Sequence, residues 1–491
     1  MLVLPPPELL WQDRRELHRF LFECQQSCRP DRPPKIISIA RDIDPLDPLA
    51  FLEAFWEADR LNFYLEKPQS GEAVVAIDSA LKLTLENGER FERSHHFIES
   101  CFRQMIVAGP HRDSRGPAFC FSLTFFEDNY AANSEHYYLR NYRNLKDRHS
   151  APVFPAATLF LPQILLYSEG DRRILLFNTL LDWQSDIDEI TDQTWKKIRQ
   201  IDDIKNRKLD RNLPLYHPSK TIGTEPQTEQ FRQSVRSALE SIAAGELSKV
   251  VLSQAFDICS DRPFDAIASL DNLRSLYPDC YIFSTGNGRG QNFIGASPER
   301  LAAIRDGEFV TDALAGSAPR GQTAAEDADI ARRLLSSDKD RREHQAVVDF
   351  IVERLIHLGL TPQRSPQPRL MRLSNIQHLW TPITAPISPN IHLLEILAEL
   401  HPTPAAAGTP RDIAQTQIRR YETFDRSLYA APLGWVDYHG NGESIVGIRS
   451  ALIDGDRARL FAGAGIVAGS EPDRELAEIQ LKLQALLKAL I

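Results

Sequence analysis

A lysine and a glutamate stand where strand-like runs begin or turn. Lys249 opens an apolar run that extends to Phe256, and Glu299 follows a Ser-Pro turn between two further runs. A desolvated lysine can act as a general base near neutral pH, whereas a lysine at a strand end in water is only a surface charge. Glu299 is likewise either a general acid at a strand edge or a solvated carboxylate paired with Arg300. The residues alone leave both alternatives open.

Two predicted helices carry pairs of acids one turn apart. Asp340 and Glu343 lie in the helix predicted for 339–357, and Glu475 and Glu478 lie in the helix predicted for 473–490, with Lys482 on the same face. Carboxylates on two opposed helices could hold a hard cation such as Mg²⁺, which takes one or two carboxylates, several waters and an anionic ligand. Each pair taken singly is also explained by a solvated helix face.

A glycine-rich run precedes the last predicted helix. Gly463, Gly465 and Ala468 match the spacing of the dinucleotide-binding fingerprint, but the 23 residues after Ala468 leave no room for the second strand that this fold needs. The run is better explained as a source of backbone N–H groups for a small anion. Tyr429 and Arg449 could bind a carboxylate through a hydroxyl and a guanidinium, and Arg449 lies inside an apolar strand-like run.

Composition limits the class of protein. The chain has 491 residues, of which 42% are hydrophobic and 25% charged, and this is ordinary for a globular protein with a large core. The formal net charge of −10 argues against a nucleic-acid coat. No run is long and apolar enough to predict a membrane span, and the start shows no signal-peptide pattern. We therefore expect a cytoplasmic protein whose six scattered cysteines are reduced.

The second half of the chain is dense in strand and helix signals. The polar stretch Arg211–Gln230 is predicted as a connector, and a helix is expected to begin near Thr228 and to end at Gly245. Long helices are expected at 327–336, 339–357, 392–399 and 473–490. Strands are expected at 249–256, 280–284, 293–294, 301–304, 444–453 and 459–466. Hairpin strands with interspersed helices favour a large α+β fold on mostly antiparallel sheets.

The order of these motifs resembles that of the chorismate-utilising enzymes. The resemblance covers about residues 228–489. The blocks that carry it are Lys249-Val-Val-Leu-Ser, Gly295-Ala-Ser-Pro-Glu-Arg-Leu301, Leu314-Ala-Gly-Ser-Ala-Pro-Arg-Gly321, Glu343-His344, His378-Leu, His401-Pro-Thr-Pro-Ala405, Phe424-Asp-Arg426, Ile448-Arg-Ser450, Phe461-Ala-Gly-Ala-Gly-Ile-Val467 and Glu475-Leu-Ala-Glu-Ile-Gln-Leu-Lys482. The resemblance implies one α+β unit of layered antiparallel sheets with flanking helices. Within it, residues 226–491 would form the chorismate-binding catalytic region and residues 1–225 a divergent N-terminal part.

The resemblance also implies roles for single residues. Lys249 would be the general base that activates water, and Glu299 the general acid that protonates the departing hydroxyl of chorismate. The implied cofactor is Mg²⁺, with Glu343 and Glu478 as direct ligands and Asp340 and Glu475 holding its waters. The implied substrate-binding residues are Tyr429, Arg449 and Gly463 for the enolpyruvyl carboxylate, Lys482 and Gly316 for the ring carboxylate, and His378 for the ring near the departing hydroxyl.

Lys249 separates the members of this family. The resemblance implies that the ammonia-using synthases lack this lysine, so we expect the reaction of isochorismate synthase, in which water adds at C2, the C4 hydroxyl leaves and the exchange is reversible. Salicylate synthase, which also expels pyruvate, shares these residues. An anthranilate or aminodeoxychorismate synthase subunit and a non-catalytic binding protein are further alternatives.

No glutaminase subunit, nucleic acid or membrane is expected as a partner. The pattern is equally typical of menaquinone or phylloquinone, siderophore and salicylate biosynthesis, and it carries no indication of oligomeric state. The sequence departs from the family pattern at Ser427 and Ala431, where many members have glycine, and at Gln254, where arginine is common. None of the three departures removes an expected catalytic group.

Overall fold

The computed structural model describes residues 2–4, 13–109, 115–128, 153–204, 218–222, 225–374, 376–388 and 390–490. Strands β1 to β22 are Leu2–Leu4, Lys35–Ile43, Leu61–Lys67, Glu72–Leu85, Met105–Ala108, Ala118–Leu123, Ala157–Glu169, Arg172–Leu181, Pro218–Ile222, Lys249–Ser260, Tyr281–Asn287, Gln291–Ser297, Arg300–Arg305, Glu308–Pro319, Gln363–Arg364, Arg369–Arg372, Ile376–Pro386, Gly408–Thr409, Pro432–Asp437, Gly442–Val446, Ser450–Asp454 and Arg457–Val467. Helices α1 to α11 are Arg14–Gln26, Pro48–Ala54, Arg90–Arg103, Ile187–Ile204, Glu225–Ala243, Ala266–Leu276, Ala324–Ser336, Asp338–His357, Leu393–Leu400, Arg411–Tyr421 and Pro472–Leu490.

The strands form one network with two arms that share the long strands β4 and β7. The first arm runs from β1 through β5, β2, β8, β7, β4, β3, β11, β12, β21 and β22 to β10. The second arm leaves β7 through β6, β19, β20, β13 and β14 to β17. Among the described strands only the pairings of β5 with β1 and β2 are parallel. The predicted α+β class with large, mostly antiparallel sheets is therefore confirmed.

Strand pairs join the two halves of the chain. Strand β3 pairs with β11, and β6 pairs with β19, so N-terminal strands complete sheets that the C-terminal half begins. Buried runs such as β6, in which all six residues are inside, supply the core between these sheets and the helices that cover them. Helix α8 packs on β14 and β17 of the second arm, whereas α11 packs on β22 of the first arm. The two acid-bearing helices thus belong to different arms.

Two predictions about the region before β10 are wrong. Helix α5 begins at Glu225 and not at Thr228. Pro226 is predicted as part of the connector, but proline is favoured in the first turn of a helix and lies there in the structure. The stretch 211–230 also contains β9, which pairs with β10 despite its polar sequence. Residues 205–217 and 223–224 lie outside the described ranges. The predicted helix end at Gly245 is confirmed by its φ of 77°.

The strand predicted for 444–453 is also wrong as a single element. The structure has two strands, β20 and β21, which are separated by residues 447–449. Arg449 has a φ of 49°, a left-handed conformation that does not continue a strand. Gly447 packs so closely on the Leu428 carbonyl that a Cβ there would lie 2.6 Å from its oxygen. The break therefore turns Arg449 out of the regular pleat.

The six cysteines are all free thiols. Burial raises the pKa of Cys24 to about 11 and that of Cys280 to about 12, so both are protonated at neutral pH. None of the helices in the described ranges has the length and apolar character needed to cross a membrane.

Candidate functional site

Lys249 forms the centre of a polar cluster between the two arms. It is the first residue of β10, is 7% exposed, and donates from Nζ to Glu343 Oε1 of α8 at 2.7 Å. Gly465 of the neighbouring strand β22 lies beside this pair. A Cβ at Gly465 would lie 3.1 Å from Lys249 Cε and 3.5 Å from Glu343 Oε1. The lysine is therefore buried with a partner, and glycine is the residue that leaves space beside the pair.

Glu299 is the second buried titratable group at this cluster. It lies in the short link between β12 and β13 and is 7% exposed. Its backbone is fixed, because its N–H donates to Ser297 Oγ at 3.2 Å and its carbonyl accepts from Val446 N at 3.1 Å. Burial raises the pKa of Glu299 to about 8, Lys249 opposes the rise and Asp312 adds to it. The carboxyl group is therefore protonated at neutral pH.

Helix α11 adds a second lysine between two acids. Lys482 Nζ donates to Glu478 Oε1 at 2.7 Å and to the Gly463 carbonyl at 2.8 Å, which joins α11 to β22. Glu475 is buried one turn earlier, and burial raises its pKa, to which the charge of Glu478 adds. Burial works to raise the pKa of Glu343, but Lys249 lowers it, and the charges of Lys339 and Lys482 add to that lowering. The same two charges oppose the rise in the pKa of Glu475. Acids of both α8 and α11 therefore lie within the electrostatic influence of the same two lysines.

The predicted metal ligands are not gathered around one point. No group of three or more His, Cys, Asp or Glu side chains in the described part of the chain could hold a metal ion. Glu343 and Glu478 are each bonded to a lysine, and Asp340 stands in the first turn of α8 with its Cβ 3.2 Å from where a Gly316 Cβ would be. The donor chemistry nevertheless fits a hard cation, since both helices supply carboxylates and Glu475 is a buried acid whose pKa the charge of Glu478 raises.

A pair of hydroxyls flanks Gly463 in β22. Gly463 is the cross-strand partner of Ser253 in β10, and a Cβ at Gly463 would lie 2.7 Å from Ser253 Oγ and 2.8 Å from the Tyr429 hydroxyl. Tyr429 is buried and stacks on Phe461 with ring centroids 5.3 Å apart, and burial raises its pKa to about 12. Tyr429 is therefore a neutral donor beside the space that the glycine leaves.

His378 and Gly316 lie together on the second arm. The pairing of β14 with β17 has a bulge at Gly316, whose φ is 76°. The next residue, Ser317, has its Oγ 2.8 Å from His378 Nδ1. Burial lowers the pKa of His378 to about 3, and the positive charges of Arg449 and Lys482 lower it further. His378 is thus a neutral imidazole, and its buried Nε2 has no hydrogen-bond partner among the described residues.

Some residues around the cluster were missed by sequence reasoning. Ser253 is close to Tyr429 and lies four residues after Lys249, and this even spacing along a strand was the available signal. Asp312 accepts from Trp380 Nε1 at 2.8 Å and pairs with Arg300 at 3.1 Å, so Arg300 bonds to Asp312 and not to Glu299. No spacing along the chain indicates this arrangement, because it depends on the pairing of β13 with β14.

Comparison with known proteins adds to this geometry. The chorismate binding enzyme family matches residues 23–491. The salicylate biosynthesis isochorismate synthase of Pseudomonas aeruginosa is 35% identical over 461 residues, which are 93% of this chain and 90% of that protein. Isochorismate synthase MenF of Bacillus subtilis is 28% identical over 467 residues, 93% of each chain. The solved structure of MenF, the menaquinone-specific isochorismate synthase from Escherichia coli, has a TM-score of 0.75 at 26% identity and covers 98% of this chain and 100% of its own.

Proposed function

Because the chain belongs to the family of chorismate binding enzymes, we propose that it is an isochorismate synthase, an isomerase that converts chorismate reversibly to isochorismate. The observation that carries the proposal is the buried pair of Lys249 and Glu299, a potential base and a carboxyl group whose pKa is about 8. The alignment with two isochorismate synthases over 93% of the chain supports it.

The two groups divide the reaction between them. Lys249 removes a proton from the water that attacks C2 of the ring, and Glu299 protonates the C4 hydroxyl as it leaves while the ring double bonds shift. Positioned proton transfer typically contributes about 10²–10⁴-fold to a rate. Burial of both groups excludes bulk water and strengthens the interactions that hold them. Because one hydroxyl replaces another, the same groups serve the reverse reaction with their roles exchanged.

The substrate's carboxylates meet the donors of the cluster. Tyr429, Arg449 and the Gly463 backbone bind the enolpyruvyl carboxylate, Lys482 and Gly316 face the ring carboxylate, and His378 lies by the departing hydroxyl. As a neutral imidazole, His378 can donate or accept one hydrogen bond at Nε2 without competing with Glu299 as an acid.

We also propose that the enzyme uses Mg²⁺. Glu343 and Glu478 would hold the ion, with Asp340 and Glu475 holding its waters. The ion when bound would orient the ring carboxylate and stabilise negative charge. Glu343 accepts from Lys249 Nζ through Oε1, which leaves its second oxygen for the ion, so the same carboxylate would link the metal site to the base. A cytoplasmic location and independence of a glutaminase subunit stay predictions.

The products formed from chorismate distinguish the proposed function from its alternatives. Purified protein supplied with chorismate and Mg²⁺, without ammonia or glutamine, is expected to form isochorismate and to stop at a mixture. The same mixture should form from isochorismate, because the exchange is reversible. Chromatography, with lactate dehydrogenase to detect pyruvate, is the measurement. Stoichiometric salicylate and pyruvate would instead identify a salicylate synthase, and an aminated product on addition of ammonia would contradict the role given to Lys249.

The metal proposal has its own prediction. Glu343→Gln and Glu478→Gln are each expected to raise the Mg²⁺ concentration for half-maximal rate by about tenfold or more, because each removes one of few charged ligands. Titration of Mg²⁺ against rate is the measurement. Glu353→Gln, at an exposed position of the same helix as Glu343, is the control and should leave the curve unchanged. Unchanged half-saturation in both test variants would mean that these helix acids do not bind the ion.

A further inference from the structure

The hydroxyl of Ser253 has no function in the site as described above. Ser253 lies in the interior of β10 and is 5% exposed. Among the described residues the Tyr429 hydroxyl lies close enough to interact with this Oγ, and no other described group bonds to it. A serine hydroxyl has one donor and two acceptor sites, so a buried serine whose one described neighbour is another hydroxyl keeps hydrogen-bonding capacity that a ligand can use.

The hydroxyl faces the space where the substrate is proposed to bind. Side chains alternate along a strand, so Ser253 and Lys249, four residues apart, share one face of β10. Its cross-strand partner is Gly463, and a Cβ there would come within 2.8 Å of both the Ser253 and the Tyr429 hydroxyls. Two hydroxyls therefore border the volume that the glycine leaves open.

The backbone at Ser253 is held in place from the opposite edge of β10. Its N–H donates to Glu422 Oε1 at 2.8 Å, where a neighbouring strand would otherwise pair. Glu422 is paired with the fully buried Arg426, which also donates to the Val251 carbonyl at 2.8 Å. These bonds fix the strand on both sides of the serine. The hydroxyl is thus positioned before any ligand binds.

A lysine and a second hydroxyl lie near the Ser253 hydroxyl. Lys482 Nζ bonds the Gly463 carbonyl at 2.8 Å, and Tyr429 stays protonated because its pKa is about 12. Hydrogen bonds from neutral donors to a carboxylate are stronger than bonds between neutral groups. We propose that Ser253 is a further substrate-binding residue, whose hydroxyl donates a hydrogen bond to the enolpyruvyl carboxylate beside that of Tyr429. This inference rests on the proposed function, which supplies the carboxylate.

The variant Ser253→Ala tests this inference because it keeps the backbone N–H that Glu422 binds. The KM for chorismate is expected to rise about tenfold or more, with kcat changed much less, because a bond made in both ground and transition states is lost. The thermal midpoint without ligand should stay the same or rise, because a buried hydroxyl with unused hydrogen-bonding capacity has been removed. A purely structural serine would give the opposite result, with a lower midpoint and an unchanged KM.

Ser38→Ala is the matched control. Like Ser253, Ser38 is a buried serine of a strand; it lies in β2, and its Oγ has no described partner. Its removal should affect the thermal midpoint in the same direction and leave KM unchanged. An unchanged KM in Ser253→Ala, with wild-type turnover intact, would overturn the inference alone. A wild-type protein that forms no isochorismate would overturn the proposed function and this inference together.

Discussion

Replacement of Lys249 by alanine is expected to lower chorismate turnover by about 10²–10⁴-fold, since the variant lacks the group that removes a proton from the attacking water. Bulk water does not reach the buried cluster to take over this role. No other described lysine bonds to Glu343, so no second base stands in the same place. The rate of isochorismate formation at saturating chorismate and Mg²⁺ is the measurement. Turnover close to that of the wild type would exclude Lys249 as the base.

A loss of folding must be separated from this loss of chemistry. Lys249→Ala leaves the Glu343 carboxylate without its 2.7 Å partner, and removing one member of a buried ion pair destabilises a protein. Circular dichroism and thermal unfolding should therefore show a native fold with a lower midpoint. Lys197→Ala is the control, because Lys197 is a partly buried lysine on α4, where it bonds to Gln163 outside the site. It should lower stability without a comparable loss of turnover.

Replacement of Glu299 by glutamine is expected to have effects of opposite sign on activity and stability. Turnover should fall by about 10²–10⁴-fold, because glutamine cannot protonate the departing hydroxyl. The folded protein should become more stable at neutral pH. The folded-state pKa of Glu299, about 8, lies above its ordinary value of 4.5, so folding at pH 7 requires the uptake of a proton that costs about 3 kcal/mol.

The direction of the shift in the Glu299 pKa determines how its contribution to stability depends on pH. A raised folded-state pKa contributes stability that is fully present below pH 4.5 and is lost as pH rises through about 8. The stability of Glu299→Gln relative to wild type should therefore grow across that window, and wild-type turnover should decline above about pH 8 as the acid ionises. Lys249 and Asp312 are the charged groups that act on Glu299, in opposite directions.

Urea unfolding at several pH values, with rates measured in parallel, would test this. Glu66→Gln is the control, because Glu66 is a buried acid of β3 whose pKa burial also raises, outside the site beside Tyr64. It should alter the pH dependence of stability and leave turnover intact. A Glu299→Gln variant that is less stable than wild type at pH 8 would contradict the protonated state assigned to Glu299.

The sequence was sufficient for those features that depend on local pattern. The strand that Lys249 opens and the helix that carries Glu343, Val347 and Ile351 follow from periods of two and of 3.6 residues, and both elements are present. The direct bond from Lys249 to Glu343 was not predicted. It joins strands and helices of different arms, and no periodicity encodes which arm lies opposite which.

Other differences arise where tertiary contacts decide the backbone. The apolar neighbours of Arg449 predict a strand through this residue, but the chain breaks there, and Gly447 is the residue that indicates a close backbone approach. Strand β9 has a polar sequence and becomes a strand through its pairing with β10. A single serine in an apolar run carries no signal of function in the sequence, and the position of the Ser253 hydroxyl beside Tyr429 depends on the pairing of β10 with β22.

The pairing of β3 with β11 also sets a delay during synthesis. The two strands are separated by roughly 200 residues, so at about 5–20 residues per second β3 emerges on the order of 10–40 s before its partner exists. Through that interval β3 has one open edge, which can pair with other chains. High contact order of this kind slows folding, because loop closure precedes the gain from the contact. Production of this enzyme should therefore benefit from weak induction, which starts fewer chains at a time and so limits the concentration of unfinished chains.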